Sequence, residues 1–228
     1  RKIPKYADKL FACGDEAGRW MFNTDDFEVL NNAIDTDLYT YNKEKADKVK
    51  KEFGIENKFV VGHVGRFNPQ KNHEFLIAVF NEVKKVKQDS VLILVGDGDL
   101  RPGIEQKVQD LGLSEKVIFT GVRSDVNDLM QGMDAFLFPS LYEGLPVTMV
   151  EAQASGLKCI ISDKVPLECK MTENVEVVKL EESPQNWAKK VLKYEKYERQ
   201  NTKEDIVKAN FDIKVNAKYL QEFYLSHL

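Results

Sequence analysis

The sequence has few cysteines and no long apolar run. Three cysteines occur among its 228 residues, Cys13, Cys159 and Cys169, and their number and spacing are typical of neither a disulfide framework nor a zinc site. We therefore expect a reducing, cytoplasmic environment, with Cys159 buried as a small apolar side chain in the run CIIS. A stretch of about 18 apolar residues is absent, so no transmembrane helix is predicted. The sequence also has no signal-peptide pattern.

No charge of one sign dominates the chain. Its formal net charge is −4, which favours neither nucleic acid nor an anionic membrane as a partner. The Walker GxxxxGK[ST], HExxH and GxSxG signatures are absent. The run GDGD supplies Gly96 and Gly98 of a dinucleotide fingerprint, but Arg101 stands in place of the third glycine. The next apolar run, VIFT, ends without an acidic residue, so a nicotinamide-dependent dehydrogenase is not predicted.

Short apolar runs alternate with helical periodicity from residue 59 onward. FVVGHV, VLILV, VIFT, AFLFP and LKCIIS are predicted strands. Between the first two, residues 73–87 have apolar side chains at the spacing of a helix. This alternation predicts an α/β fold, a Rossmann-like, doubly wound parallel sheet that is covered by helices on both faces.

The two ends of the chain depart from this alternation. KLFACG and DEAGRWMF predict one more strand and helix, and KEKADKVKKEFG predicts a charged surface helix after a polar, turn-rich piece. Near the C-terminus an apolar stripe at i, i+4 spacing predicts a final helix that needs a surface to cover. The stripe consists of Phe211, Val215, Tyr219 and Phe223.

Polar motifs follow the predicted strands, where open parallel sheets bind their ligands. GRFNPQKN places Arg66 and Lys71 five positions apart, with Lys71 near a helix start, where a cation is unfavourable unless an anion offsets it. A guanidinium and an ammonium group together suit a diphosphate. Two solvated surface cations are the alternative, and the pattern does not decide between them. His63 is predicted to be structural, and His73 to cap its helix, lie at the surface or join the anion site.

The stretch SLYEGLPVTMVEAQASG places Glu143 and Glu151 eight positions apart. Gly144 allows close backbone approach, and Pro146 suits the first position of a helix whose free amides form an anion site. A carboxylate accepts two hydroxyl hydrogens and therefore suits a sugar diol. Glu151 lies among apolar residues and needs a partner. In the alternative interpretation, Glu143 is simply favoured by the helix dipole and Glu151 is a solvated helix residue. We favour the interpretation that both carboxylates bind a ligand.

Five motifs follow one another in the order GRFNPQKN, VGDGDLR, VIFTGVRSDV, AFLFPSLYEGLP and VEAQASG. In this order, at successive strand ends, they resemble the retaining GT-B glycosyltransferases of family 4 (glycosyl transferases group 1). The resemblance is densest over residues 59–163 and is greatest to members that build bacterial capsular or extracellular polysaccharide. Two departures occur: EGLP is shorter than the common EGFGLP, and Lys158 stands where proline is common.

The resemblance implies a role for each candidate residue. The E-x7-E motif falls on Glu143, which would face the transferred sugar, and on Glu151, which would hold the ribose hydroxyls of the donor nucleotide. Arg66 and Lys71 would neutralise the diphosphate leaving group, on which negative charge develops. The other implied donor-binding residues are Gly65 in the first loop, Gly144 and Leu145 with amides near the phosphate, and Val122 and Arg123 beside the base.

The resemblance also implies an organisation. Residues 1–30 would be a remnant, the last strand and helix, of an N-terminal acceptor domain, and residues 31–57 a linker. Residues 58–205 would bind the nucleotide-sugar donor, and residues 206–228 would form a helix that crosses back to the absent domain. The chain, which begins with Arg1, would then be the donor-binding half of a transferase. Alone it would bind nucleotide weakly and transfer little or no sugar.

The substrates are expected from family habit. The donor would be a UDP-sugar, with a GDP-sugar as the second choice, bound as substrate; no permanent cofactor and no metal are expected. The acceptor would be a glycan or a lipid-linked saccharide, and the full enzyme would be cytoplasmic, with peripheral contact at the inner face of the membrane left open. Two alternatives remain: an epimerase-like GT-B protein, which the E-x7-E pair argues against, and a non-catalytic nucleotide-binding α/β domain.

Overall fold

Strands alternate with helices in the computed structural model, which describes residues 3–226. Residues 1–2 of the predicted N-terminal remnant (residues 1–30, termed here the N-terminal unit) and residues 227–228 of the predicted C-terminal segment lie outside the described part. Within it, the strands are β1 (Phe11–Ala12), β2 (Glu28–Val29), β3 (Phe59–Val64), β4 (Ser90–Val95), β5 (Val117–Gly121), β6 (Ala135–Phe138), β7 (Lys158–Ser162) and β8 (Val175–Val178).

The α-helices of the same part lie mostly between these strands. They are α1 (Asp15–Phe22), α2 (Thr36–Tyr39), α3 (Lys43–Glu52), α4 (His73–Val86), α5 (Arg101–Asp110), α6 (Val126–Gln131), α7 (Val147–Ala154), α8 (Pro184–Leu192), α9 (Lys203–Lys208) and α10 (Ile213–Leu225). Short 3-10 turns occur at Ile3–Lys5, Pro69–Lys71 and Leu167–Cys169. None of the helices that the structure describes is long and apolar enough to cross a membrane.

Six strands form one parallel sheet in the order β5-β4-β3-β6-β7-β8, and β1 pairs with β2 separately. Strand β3 pairs with β4 on one side and with β6 on the other, where Val61 lies opposite Ala135. The order of the strands reverses at this point, so the carboxyl ends of β3 and β6 border the topological switch point. The predicted Rossmann-like, doubly wound α/β fold is confirmed.

Side chains of the central strands alternate between two apolar layers. Val61 and Leu137 face the layer that contains α4 and α8, whereas Val60 and Phe136 face the layer that contains α6 and α7. All four are fully buried. Full burial of an apolar side chain of this size stabilises the fold by about 1.5–3 kcal/mol. The sheet is thus a rigid base for the loops at its carboxyl edge.

Strand β8 was not among the predicted strands. Its sequence VEVV is short, and Glu176 lies at its second position, so it lacks the continuous apolar run that marks β3 to β7. The carboxylate of Glu176 accepts a hydrogen bond from the Tyr194 hydroxyl and pairs with Lys190 at 2.8 Å. An edge strand has one partner strand only and can carry such polar residues, which is why its pattern is weaker.

Residues 31–42, which we term the strap, cross the part of the chain that is built on the six-stranded sheet, termed here the main domain. Ile34 exchanges backbone hydrogen bonds with Phe211 and Ile213 at 2.9 Å each. The Thr36 hydroxyl donates to the buried carboxylate of Asp212 at 2.5 Å. Helix α2 within the strap packs against α6, α7 and α9, and the following α3 packs against α6. The strap is therefore attached to the domain along its length.

The C-terminal helix α10 covers part of the N-terminal unit. Tyr219 and Phe223 contact the ring of Phe11 edge to face, with ring centroids 6.4 and 5.2 Å apart. Phe211, before the helix, is buried in a small core with Val150. Strand β1 and helix α7 thus cover part of the predicted apolar stripe, whereas Val215 remains 45% exposed.

Candidate functional site

Two loops meet at the switch point. Residues 65–72 follow β3, and residues 139–146 follow β6. The main-chain oxygen of Gln70 accepts a hydrogen bond from the Leu141 amide at 2.8 Å, and its side-chain amide donates to the Tyr142 carbonyl at 3.0 Å. These bonds fix the two loops relative to each other at the edge where a ligand of a parallel sheet binds.

Lys71 and Glu143 form a nearly buried ion pair between the two loops. Lys71 Nζ lies 2.7 Å from Glu143 Oε1, and their side chains are 14% and 6% exposed. Gln70 Nε2 donates to the other carboxylate oxygen at 3.0 Å, and the Lys71 ammonium lies 4.7 Å from the centre of the Phe138 ring. Lys71 is therefore not a solvated surface cation. Its charge is held in place and balanced by Glu143.

Arg66 differs from Lys71 in its surroundings. Its side chain is exposed, and no group within residues 3–226 forms a hydrogen bond or an ion pair with it. It begins one residue after Gly65, at the carboxyl end of β3. The guanidinium is free to turn toward an anion at the switch point, and its surroundings are equally consistent with a solvated cation.

Glycines shape the loops for two different reasons. A Cβ atom on Gly96, which has φ +133°, would lie 2.2 Å from the Gly65 carbonyl oxygen, and one on Gly98 would lie 2.5 Å from that of Phe67. The GDGD loop thus needs glycine because it packs on the loop after β3. Gly144 does not have a positive φ, and no atom of residues 3–226, apart from those of Gly144 and its two chain neighbours, lies within 4 Å of the position of an added Cβ. The folded chain itself does not require glycine there, which leaves room for a ligand.

Two buried histidines, His63 and His73, lie close to Lys71. His63 is fully buried and its Nδ1 lies 2.9 Å from the Leu137 carbonyl, while His73 stacks on Phe67 with ring centroids 4.0 Å apart. Burial, followed by the proximity of His73 and then of Lys71, lowers the pKa of His63 well below its ordinary value. Burial, followed by the positive charge of Lys71, lowers the pKa of His73 to about 4. Both rings are neutral near pH 7. His73 is a core residue and not the cap, surface or anion-site residue that the sequence suggested.

Helix α7 presents its N-terminus beside these loops. Pro146 precedes its first residue, Val147, and within the described part of the chain no side chain caps the amides of the first turn. Such amides carry partial positive charge and suit an anion. Leu145, which precedes Pro146, is half-buried against the small core that contains Val150 and Phe211. The predicted anion site at this helix therefore has free donors.

Glu151 lies on the second turn of α7 and is half-buried. The hydroxyl of Tyr39, in α2, donates a hydrogen bond to Glu151 Oε1 at 2.6 Å. Burial raises the pKa of Glu151, and the Tyr39 hydrogen bond opposes that rise. The predicted partner of this carboxylate thus exists, and it comes from the strap.

Val122 and Arg123 lie farther along the same edge, after β5. This strand is two positions from β3 in the sheet, which is about 10 Å at the usual strand spacing. Arg123 is held in ion pairs with Asp125 at 2.6 Å and Glu52 at 3.3 Å. The side chain of Val122 is 80% exposed. The structure therefore separates this loop from the Lys71–Glu143 pair but keeps it on the edge that carries the site.

Sequence patterns missed two residues that contact the site. Gln70 lies inside the GRFNPQKN motif, but a single glutamine between charged residues has no periodic signal. Tyr39 lies in the predicted linker, 112 positions before Glu151. Its polar, turn-rich surroundings gave no sign of a buried contact. Both contacts are non-local, so only the folded chain reveals them.

A groove of about 560 Å³ opens beside this site, between the N-terminal unit and the main domain. Cys13, Leu145, Lys170 and Lys208 are among its lining residues. Among residues 3–226, no three His, Cys, Asp or Glu side chains are grouped closely enough to hold a metal ion. The groove therefore offers a mixed polar and apolar surface next to the N-terminus of α7.

The profile of the family described as "Glycosyl transferases group 1" matches residues 45–211. The chain belongs to the glycosyl transferases group 1 family. The match includes the loops after β3 and β6, the Lys71–Glu143 pair and Glu151, so the family segment and the geometric site coincide. The predicted family is confirmed at this level.

Two curated members of the family illustrate the similarity. The chain is 36% identical over 240 residues to the putative glycosyltransferase EpsF of Bacillus subtilis, a match that covers 98% of this chain and 61% of EpsF. It is 34% identical over 139 residues to an Escherichia coli UDP-Gal:α-D-GlcNAc-diphosphoundecaprenol α-1,3-galactosyltransferase, covering 59% of this chain and 36% of that enzyme. The chain thus spans less than two-thirds of either relative.

Solved structures of glycosyltransferases share the fold. HepE of Anabaena, in complex with UDP and glucose, matches with a TM-score of 0.77 and 24% identity over 98% of this chain and 64% of HepE. The C-terminal domain of the group 1 protein LpcC from Francisella tularensis matches with a TM-score of 0.65 and 21% identity, over 79% of this chain and all of that domain. These likenesses show that the chain has the Rossmann-like fold of GT-B glycosyltransferases.

Proposed function

We propose that this chain binds the nucleotide-sugar donor as the C-terminal half of a retaining family 4 glycosyltransferase in bacterial polysaccharide biosynthesis. The observation that carries the proposal is the grouping of Lys71, Glu143 and Glu151 around the uncapped N-terminus of α7 at the switch point. The likeness to the C-terminal domain of LpcC and the name of the EpsF relative support it. In this account, residues 58–205 form the donor domain, and residues 1–30 belong to an acceptor domain.

The diphosphate of the donor binds between the two loops. Arg66, which is free of partners among the described residues, turns toward the phosphates, and Lys71 shares its ammonium between Glu143 and the ligand. The amides near Gly65, Gly144 and Leu145 donate to phosphate oxygens. When the bond between the sugar and the diphosphate breaks, the departing nucleotide gains negative charge, which these fixed cations and amides stabilise. Glu143 orients Lys71 and borders the space for the sugar.

The nucleoside end of the donor lies along the same edge of the sheet. Glu151 accepts hydrogen bonds from the ribose hydroxyls, because one of its oxygens is unpartnered among the described residues. Val122 and Arg123 border the base, about 10 Å from β3. We propose UDP-sugar as the donor, since the HepE structures contain UDP and UDP-glucose and the Escherichia coli relative is named for a UDP-sugar.

The acceptor in this proposal is a glycan or a lipid-linked saccharide. Two relatives are named for diphosphoundecaprenol-linked substrates, one from Escherichia coli and one from Campylobacter jejuni. The groove that contains Cys13 and Lys170 borders the donor site and faces the N-terminal unit, so we assign it to the acceptor side. A lipid-linked acceptor would bring the full, cytoplasmic enzyme into peripheral contact with the inner face of the membrane.

Calorimetric titration of the chain with UDP, GDP and ADP, with and without magnesium, tests the donor site. We expect saturable binding of UDP that does not depend on magnesium. Arg66→Ala and Glu151→Gln should each weaken UDP binding about 10- to 100-fold, as expected for a lost hydrogen bond to a charged group. Arg19→Ala, which removes an exposed arginine of α1 that pairs with Asp25, is the matched control and should bind UDP normally. Normal binding by both site variants would refute the assignment.

A further inference from the structure

The hydrogen bond between Tyr39 and Glu151 makes the two oxygens of the Glu151 carboxylate different. Tyr39 donates its hydroxyl hydrogen to Oε1 at 2.6 Å. The other oxygen, Oε2, has no hydrogen-bond partner among residues 3–226, and it is not among the buried unpartnered atoms of that part. One side of the carboxylate is therefore fixed by the protein, and the other side is available to a ligand.

We propose that Tyr39 is a positioning residue of the donor site: its hydroxyl orients the Glu151 carboxylate so that Oε2 meets the ribose diol. The inference rests on the proposed function, because it takes Glu151 as the ribose ligand. Tyr39 does not touch the nucleotide in this account. It acts through the angle at which it holds the Glu151 side chain.

The strap holds the Tyr39 hydroxyl in place. The Tyr39 carbonyl accepts a hydrogen bond from Gln131 Nε2 at 3.1 Å. Three positions earlier, Thr36 is bonded to the buried Asp212, and the Asp37 carboxylate pairs with Lys203 of α9. The tyrosine ring also packs against the apolar clusters on both sides of α7. After Tyr39, the Asn42 amide donates to Gln131 Oε1 at 3.0 Å. Because the strap is fixed before and after Tyr39, the hydroxyl reaches Glu151 from one direction.

The same hydrogen bond acts on the charge of Glu151. Burial favours the neutral acid and raises the pKa of Glu151, whereas donation from Tyr39 favours the carboxylate. Burial and this bond also raise the pKa of Tyr39 above its ordinary value, so the tyrosine remains a donor. Of the charged groups on the elements packed against α7, Asp37 on α2 pairs with Lys203 on α9, and Lys158 on β7 lies over the rings of Tyr194 and Tyr197. The Tyr39 hydroxyl is thus the group that opposes burial.

A carboxylate held in this way should distinguish ribose from a sugar without a diol. The ionised form can accept hydrogen bonds from both the 2′ and the 3′ hydroxyl, whereas the protonated form loses acceptor capacity. A purely structural role for Tyr39 would instead affect every nucleotide equally. The chemical class favoured by this arrangement is therefore a nucleoside diphosphate with both ribose hydroxyls.

Tyr39→Phe removes the hydroxyl and retains the ring. We expect it to weaken UDP binding about 5- to 10-fold, which is within the effect of one ordinary intramolecular hydrogen bond and less than the loss of a direct contact to the ligand. The affinity for 2′,3′-dideoxy-UDP, which lacks the diol, should change by less than about 2-fold. Tyr41→Phe is the matched control. The Tyr41 ring lies 4.7 Å from the Arg199 guanidinium, and its hydroxyl has no hydrogen-bond partner among the described residues, so the binding of both nucleotides should be unchanged.

A second readout does not depend on the ligand. In a carbon-13 NMR titration of the Glu151 side-chain carboxyl, Tyr39→Phe should raise its pKa, and Tyr41→Phe should leave it unchanged. An unchanged pKa in Tyr39→Phe, or an equal loss of affinity for both nucleotides, would overturn the positioning role. Normal UDP binding by Glu151→Gln would instead refute the proposed ribose site itself, so the two failures are distinguishable.

Discussion

The ion pair between Lys71 and Glu143 allows a prediction with opposite effects on stability and on ligand affinity. Glu143→Ala leaves the Lys71 ammonium, 14% exposed, without its carboxylate 2.7 Å away. Removing one partner of a buried pair costs about 3–5 kcal/mol. Because Lys71 keeps some solvent contact, we expect the lower end of this range, about 3 kcal/mol. For a chain of this size that loss corresponds to a decrease in Tm of about 6–12 °C.

Affinity for the diphosphate should change in the other direction. Glu143 carries a negative charge next to the proposed phosphate site, so its removal frees Lys71 and ends a repulsion. For a phosphate about 6 Å away and a dielectric constant between about 20 and 80, the repulsion is about 0.7–3 kcal/mol. Glu143→Gln, which retains a hydrogen-bonding side chain, should therefore bind UDP about 3- to 100-fold more tightly than the unchanged chain.

Urea unfolding and UDP calorimetry on the single variants and on Lys71→Met combined with Glu143→Ala test both effects. The double variant should be less destabilised than the sum of the single variants, by about 1.5–3 kcal/mol. Asp47→Ala, which breaks the exposed pair with Lys43, is the control and should cost less than about 0.5 kcal/mol. Additive effects, or a Glu143→Ala variant as stable as the unchanged chain, would show that Lys71 is solvated and that the reasoning fails.

Three further predictions follow from the site and its supports. Gly96→Ala should destabilise the chain by about 3 kcal/mol or more, since its Cβ would lie 2.2 Å from a carbonyl oxygen at positive φ, whereas Gly144→Ala should leave thermal unfolding unchanged and weaken UDP binding. Burial raises the pKa of Glu151, so the ionised carboxylate destabilises the fold, and this loss of stability is recovered as the pH falls from the raised pKa to below the ordinary pKa of Glu. In urea unfolding at several pH values, Glu151→Gln should therefore be more stable than the unchanged chain above the raised pKa. Below the ordinary pKa of Glu the two should be equally stable. Arg199→Met should lower the unfolding free energy by about 3 kcal/mol, because the guanidinium donates to the carbonyls at the ends of α6 and α7; a change under about 1 kcal/mol would contradict that role.

Local patterns predicted most of the sheet because buried parallel strands have continuous apolar runs. Strands β3 to β7 have such runs, and each agrees with its predicted position within two residues. Strand β8 has a charged residue at its second position and lies at the sheet edge, so its pattern did not distinguish it from a loop. A continuous apolar run indicates a strand that is buried on both faces of the sheet. A strand at the edge of the sheet is buried less completely, so its sequence lacks such a run.

The site was predictable in its composition but not in its pairing. The positions of Lys71 and Glu143 in loops after strands, and of Glu151 on the next helix, followed from the alternation of strands and helices. That Lys71 neutralises Glu143, 72 positions away, did not follow, because it depends on how two loops fold over each other. Tyr39 was missed for the same reason: its contact joins a polar segment to a helix far away in the sequence.

An amide chemical-shift map of the chain titrated with UDP tests the central claim most directly. If the donor nucleotide binds at the switch point, the amides of Gly65, Gly144, Val147 and Glu151 should shift together along one saturation curve. Arg66→Ala should move that curve to higher UDP concentration. Shifts confined to the groove near Cys13 and Lys170, or no shifts in a folded chain, would contradict a donor site formed by the loops after β3 and β6.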